Sequence, residues 1–240
     1  WPVNPNLKKI LNSQKLISIS RRGKYLLASF SNGYLIIHLG MSGRISIVSE
    51  KNCPLKHDHI DICFEVEGNK KILRYNDTRR FGAMIWTDEC PFNHKLISTL
   101  GPEPLSDEFN TDYLFNIAKR KKQPIKSTIM DSHTVVGVGN IYASESLFLA
   151  GIRPQRRSEK IKKKEIGVLV NSIKIVIQKA IERGGSTLND FYSVNGQSGY
   201  FQNEHKVYAR ENEYCTNCDG KIYLLRIAQR SSFYCKKCQI

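Results

Sequence analysis

Cys215-Thr-Asn-Cys218-Asp-Gly-Lys-Ile-Tyr-Leu-Leu-Arg-Ile-Ala-Gln-Arg-Ser-Ser-Phe-Tyr-Cys235-Lys-Lys-Cys238 carries two Cys-x-x-Cys pairs with sixteen residues between them. Each pair turns tightly under a metal ion, and the span between them has the length of a β-hairpin: the spacing of a zinc ribbon. Four thiolates close the coordination shell of Zn2+, so such a site is structural and leaves no open position for chemistry. Cys215, Cys218, Cys235 and Cys238 are the expected ligands of one Zn2+. The same stretch holds Lys221, Arg226, Arg230, Lys236 and Lys237, so the surface that the metal stiffens is basic and suits a polyanion.

The rest of the chain agrees in charge. Its 240 residues have a net charge of +15 and an isoelectric point near 9.5. That excess points to nucleic acid ahead of an anionic membrane surface. No run of about eighteen apolar residues is present, which excludes a transmembrane helix, and no signal peptide is visible. Of seven cysteines, the three outside the ribbon, Cys53, Cys63 and Cys90, are scattered. The odd count argues for a reducing, intracellular compartment and against a secreted disulfide framework. Trp1-Pro-Val-Asn-Pro5 reads as the middle of a loop, so a fragment or a processed product is expected.

The chain divides by period. Between residues 15 and 90, short β-like runs follow at near-regular spacing: Lys15–Ser20, Tyr25–Phe30, Tyr34–Leu39, Ile45–Val48, Ile60–Val66, Lys71–Tyr75 and Ala83–Trp86. They predict a sandwich or barrel, with Ser31-Asn32-Gly33 turning a hairpin. Gly101-Pro-Glu-Pro104 breaks the pattern. Ser106 then reads as the N-cap of a helix to about Arg120, with Asp107 and Glu108 in its first turn. Shorter helices are expected over 125–131 and 140–150. Lys162–Arg183 carries an apolar stripe of helical period, read as a core-facing helix ended by Gly184-Gly185. Residues 191–204 read as a polar loop. The fold class is therefore α+β, with a β-sandwich at 1–100, a helical domain at 101–204 and a zinc ribbon at 205–240.

Several constellations suit nucleic acid. Gly137-Val-Gly139-Asn140 precedes a helix, where small residues let a phosphate approach backbone N–H groups and Asn140 adds a donor. Basic residues flank it: Lys119, Arg120, Lys121, Lys122 and Lys126 upstream, Arg153, Arg156 and Arg157 downstream. Runs on both sides of a glycine turn suggest a clamp on a DNA backbone. Asp77-Thr-Arg79-Arg80-Phe81-Gly82 joins guanidiniums, which read base edges, to an aromatic ring that wedges between bases. The ordinary alternative for Phe81 is a place in a strand core, and for Met41, at an apparent turn, plain packing. Lys24 reads as a surface residue at a strand start. His57-Asp58-His59 lacks a third ligand nearby and favours phosphate contact or local hydrogen bonding over metal.

His38-Leu-Gly-Met-Ser-Gly43, Asp77-x-Arg-Arg-Phe-Gly82, Val136-Gly-Val-Gly-Asn-Ile-Tyr-Ala-Ser-Glu145, Gly184-Gly-Ser-Thr-Leu188, Gly199-Tyr-Phe201 and Ala228–Cys235 occur in that order. Together they closely resemble bacterial formamidopyrimidine-DNA glycosylases, which excise 8-oxoguanine, over the whole chain. The related endonuclease VIII branch fits less well at the first two stretches. The resemblance implies a β-sandwich, a helix-two-turns-helix domain and a zinc ribbon, with DNA in a basic cleft. It implies that Met41, Arg79 and Phe81 fill the space of an extruded base, with Arg79 pairing to the estranged cytosine. His57, Lys122, Lys126, Asn140 and Arg230 would hold phosphates. Residues 191–204, with Ser193, Gly199, Tyr200 and Phe201, would close over the flipped base. Lys24 would serve β-elimination and Arg230 δ-elimination.

The resemblance further implies an N-terminal proline nucleophile followed by a glutamate, and neither starts this chain. Roughly thirty residues, about one helix and one strand, would precede Trp1. Schiff-base chemistry needs an unprotonated amine at C1′ of the sugar, so the chain as it stands is expected to be inactive. The expected function of the intact protein is base-excision repair of duplex DNA carrying oxidised purines or abasic sites, as a monomer in the bacterial cytoplasm without membrane contact. The alternative is a non-catalytic lesion- or abasic-site-binding protein.

Overall fold

The computed structural model describes residues 3–185 and 204–240, which form two units: Val3–Ser98, and Thr99–Gly185 with Glu204–Ile240. In the first, a short helix α1 (Leu7–Leu11) precedes seven strands: β1 (Leu16–Arg22), β2 (Tyr25–Phe30), β3 (Gly33–His38), β4 (Gly43–Val48), β5 (Asp58–Val66), β6 (Asn69–Asp77) and β7 (Ala83–Thr87). They build two antiparallel sheets, ordered β1-β2-β3-β7 and β4-β6-β5. Alternation does what the period of two requires. Along β5 the half-buried positions Ile60, Ile62 and Phe64 alternate with exposed Asp61, Cys63 and Glu65. Residues of both sheets close over one core that includes Phe30, Leu35, Ile37, Tyr75 and Met84. Phe30 pairs with Gly33, so Ser31-Asn32 is the two-residue turn of the expected hairpin. Helix α1, unforeseen from its five residues, buries Leu7 in this core.

The second unit holds helices α2 (Thr111–Ala118), α3 (Ile125–Met130), α4 (Asn140–Leu149) and α5 (Lys163–Glu182), then the hairpin β8 (Ile222–Ile227) and β9 (Arg230–Cys235). The stripe of α5, Ile166, Leu169, Val170, Ile173 and Ile177, packs with Leu114, Ile125, Ile129, Ala143 and Leu147 from the other helices. Its end is a Schellman closure: Gly185 N–H bonds Ala180 O at 2.7 Å and Gly184 N–H bonds Ile181 O at 3.0 Å, with φ of +93° and +71°. One helix start differs from the sequence expectation. Ser106 is a turn residue, and the N-cap is Asn110, whose Oδ1 accepts the Tyr113 N–H at 3.0 Å. Phe109 is wholly buried in the helical core, and sending its ring there keeps 106–110 out of the helix. Asp112, not Asp107 or Glu108, is the first-turn acid.

The ribbon hairpin has a small core of its own, in which Cys215, Ile222 and Cys235 pack on Phe148 of α4 and on Val207. Glu145, also on α4, ties down the approach to it. Its buried carboxylate accepts the backbone N–H groups of Lys206, Val207 and Tyr208 at 2.9, 3.0 and 2.8 Å.

Candidate nucleic-acid interface

Strand register gathers the first unit's candidates. Arg22 pairs with Tyr25, Tyr25 with His38 and His38 with Ala83, so the Gly23-Lys24 turn lies beside the end of β3 and the start of β7. In the other sheet Gly43 pairs with Asp77 and Asp58 with Asn76. The connections 39–42 and 78–82 run from sheet to sheet at these same ends. Lys24, Met41, His57, Arg79 and Phe81, far apart in sequence, thus share one end of the sandwich.

Exposure excludes the packing reading of the apolar pair. Met41 is 55% exposed and Phe81 53%, so neither is a core residue. Arg79 lies over the Phe81 ring, its guanidinium carbon 4.9 Å from the centroid. Lys24 is exposed, and its charge, after burial, is the second cause that holds the His38 imidazole below its ordinary pKa. His38 Nδ1 accepts the Gly40 N–H at 3.1 Å, which places the proton of the neutral ring on Nε2. His57 takes φ of +77°, fixed by neighbours: its carbonyl accepts the Asp77 N–H, and Asp58 Oδ2 accepts the Leu55 N–H at 2.7 Å. His59 Nε2 bonds the Asp77 carbonyl at 2.8 Å, a local hydrogen bond.

Asp77 is the residue that sequence reasoning passed over. Its side chain is fully buried. It accepts Ser42 Oγ–H (2.6 Å), Tyr75 Oη–H (2.9 Å), Gly82 N–H (2.9 Å) and Arg79 N–H (3.3 Å). Burial opposes its charge, but these donors outweigh burial and hold the carboxyl below its usual pKa.

In the second unit, the basic runs split. Lys126 is 1% exposed and donates to Ser231 O at 2.9 Å and Ser232 Oγ at 2.8 Å. Burial, then the charge of Arg230, brings its amine down to about 7. This joins α3 to β9 in place of the expected phosphate contact. Lys121 pairs with Asp131, and Arg156 with Glu165. Arg153 binds the carbonyls of Gln239 and Lys236. Much of the expected clamp is therefore internal. Lys122 and Arg230 remain exposed, and Arg230 opens β9 directly after Ala228 and Gln229, both at positive φ. Asn140 starts α4, which has no acidic residue in its first turn. Its Nδ2 stands 3.5 Å from Tyr208 Oη, while Oδ1 is buried without a partner among the described residues. The helix N-terminus and the Nδ2–H donor suit an anion, whereas the unpartnered Oδ1 is an acceptor and needs a donor. Ser193, Gly199, Tyr200 and Phe201 lie outside the described residues.

The four ribbon cysteines are the one metal-capable cluster among the described residues, with all sulfurs within 4.8 Å. Sulfur pairs stand at 3.8 Å (Cys215–Cys238), 3.6 Å (Cys218–Cys235) and 3.5 Å (Cys218–Cys238). A tetrahedron with Zn–S of about 2.3 Å has edges of about 3.8 Å, so the donor set fits a tetrathiolate metal. Burial and the neighbouring sulfurs push the Cys238 thiol up, the situation that a divalent cation inverts.

The family model of the formamidopyrimidine-DNA glycosylase N-terminal domain matches residues 1–84, and that of the H2TH domain of the same glycosylases matches 100–192. The chain belongs to the formamidopyrimidine-DNA glycosylase family. Formamidopyrimidine-DNA glycosylase of Legionella pneumophila (strain Lens) is 50% identical over 238 residues, covering 99% of this chain and 86% of the relative. That of Neisseria meningitidis serogroup A is 46% identical, covering 100% and 87%. Among solved structures, the Lactococcus lactis family member in complex with abasic-site DNA superposes with a TM-score of 0.87 at 33% identity, over 98% of this chain and 85% of that one. The Thermus thermophilus protein gives 0.85 at 32%, over 96% and 85%. The family's helix-two-turns-helix domain corresponds to α2–α5, and its sheet domain to β1–β7.

Proposed function

We propose that this chain recognises oxidised purines and abasic sites in duplex DNA, and that with its family's nucleophile it excises the base and nicks the site by β/δ-elimination. One observation carries the proposal: Met41 and Phe81, two large apolar side chains, stand exposed beside Arg79 at the sandwich end that also bears Lys24 and His57. Apolar tips flanked by cations are poor solvent-facing surface but suit a gap in a base stack. Met41 and Phe81 fill the space of the extruded base, and Arg79 hydrogen-bonds the widowed cytosine. His57, Lys122, Asn140 and Arg230 hold phosphates. Lys24 serves proton transfer in β-elimination and Arg230 in δ-elimination. Residues 191–204 cap the flipped base. One Zn2+ on Cys215, Cys218, Cys235 and Cys238 supplies no reaction step; those side chains would hold the hairpin that presents Arg230.

Competition binding at fixed salt tests the recognition half of the proposal. Tighter binding of an 8-oxoguanine·C or abasic-site duplex than of undamaged duplex supports it, and equal affinity for undamaged duplex removes the claim of lesion recognition.

A further inference from the structure

We propose that Asp77 is a positioning residue that locks the Met41 turn and the Arg79–Phe81 turn into one rigid wedge, and thereby sets the preference for the base opposite the lesion; this rests on the lesion-binding role proposed above. The two turns belong to different connections, β3–β4 and β6–β7. Neither is paired as a strand. What joins them is one carboxylate. Asp77 Oδ1 accepts Ser42 Oγ–H, from the residue next to Met41, and also Arg79 N–H. Oδ2 accepts Gly82 N–H, from the residue next to Phe81, and Tyr75 Oη–H from the core. Ser42 Oγ itself accepts Arg79 N–H at 3.1 Å, so the two turns also bond each other.

The backbones touch as well. A Cβ on Gly40, at φ +65°, would come within 2.7 Å of the Phe81 carbonyl carbon and 2.8 Å of Gly82 N. Between the bonded positions Arg79 and Gly82, Arg80 is held at φ +57°, a conformation that surrounding bonds must enforce. A buried carboxylate is tolerated only while its donors stay in place, so losing one donor loosens both turns together. Arg79 then reads the opposite base from a platform whose position depends on Met41's turn.

The test uses the 240-residue chain and duplexes carrying a tetrahydrofuran abasic analogue opposite C or A, beside an undamaged duplex. Ser42→Ala removes one donor and keeps the carboxylate; Asp77→Asn replaces an acceptor oxygen by a donor. A hydrogen-bonded cytosine contact gives the wild type about a tenfold preference for C over A. Both variants are expected to bring that ratio close to one while binding undamaged duplex as the wild type does. Mere destabilisation would weaken all duplexes alike. If Asp77→Asn does not fold, Ser42→Ala decides. Variants that keep the C preference overturn the inference. A wild type that selects abasic duplex but treats C and A alike also overturns it and leaves lesion binding standing. A wild type blind to the abasic site removes both.

Discussion

Lys126 sits at the bottom of the second unit's basic run with an amine that has left water for Ser231 O and Ser232 Oγ. Its folded pKa, down to about 7, lies well below that of an unfolded lysine. Between those values the unfolded chain binds the proton and the folded chain does not, so this group makes stability rise with pH from about 7 to about 10. Lys126→Met removes the titration. The wild type should therefore gain on the variant as pH is raised from 7 to 9.5 in paired thermal melts, and a pH-independent difference would contradict the assignment. The residue scale is also where the sequence was least informative. Lys126 looked like one more backbone contact, because its partners lie about a hundred positions away on β9. Asp77 attracted no role for a similar reason: a buried carboxylate is defined by its donors, and Ser42 is thirty-five residues distant. Exposure of Met41 and Phe81 runs against the usual fate of such side chains, so only their neighbours in space could decide it.

Elements were more legible, because period is local. Each alternating run became one strand of β1–β7, with ends shifted by up to two residues, and the α5 stripe became a buried face. The start of α2 was missed because two capping candidates, Ser106 and Asn110, stand four apart, and the burial of Phe109 chooses between them. The ribbon was the clearest element, and its stability is the most separable. Its core of Phe148, Val207, Cys215, Ile222 and Cys235 includes two of the sulfurs, whereas the helical core formed by α2–α5 contains none. Metal held by four thiolates contributes on the order of 10 kcal/mol to folding of such small modules. Stripping the metal with a chelator should melt β8–β9 while the far-UV signal of α5 and the sandwich persists. Affinity for abasic duplex should fall with the hairpin, since Arg230 opens β9. Chelated protein that binds as before would show that Arg230 is not presented by the ribbon.

For the whole molecule, net charge promises more than it delivers. Of 37 lysines and arginines, several are committed to internal partners: Arg74 to Asp61, Lys121 to Asp131, Arg156 to Glu165, Arg153 to ribbon carbonyls, and Lys126 to β9. The three acid pairs are already cancelled in the net charge of +15, whereas Arg153 and Lys126 are held by uncharged partners, so the net charge does not give the number of phosphates that binding neutralises. The salt dependence measures that number, because each neutralised phosphate adds about −0.9 to the slope of log K against log salt on duplex DNA. Lys122 is exposed, carries no ion pair among the described residues, and is assigned to the backbone rather than to a base. Lys122→Ala should reduce the slope by about one unit and weaken abasic and undamaged duplex to the same degree. Lys121→Ala, which breaks the pair with Asp131 at 2.7 Å, should cost stability and leave the slope unchanged. If the slope instead follows Lys121 and ignores Lys122, the phosphate-binding role belongs to the paired lysine, and its bond to Asp131 must open when DNA binds.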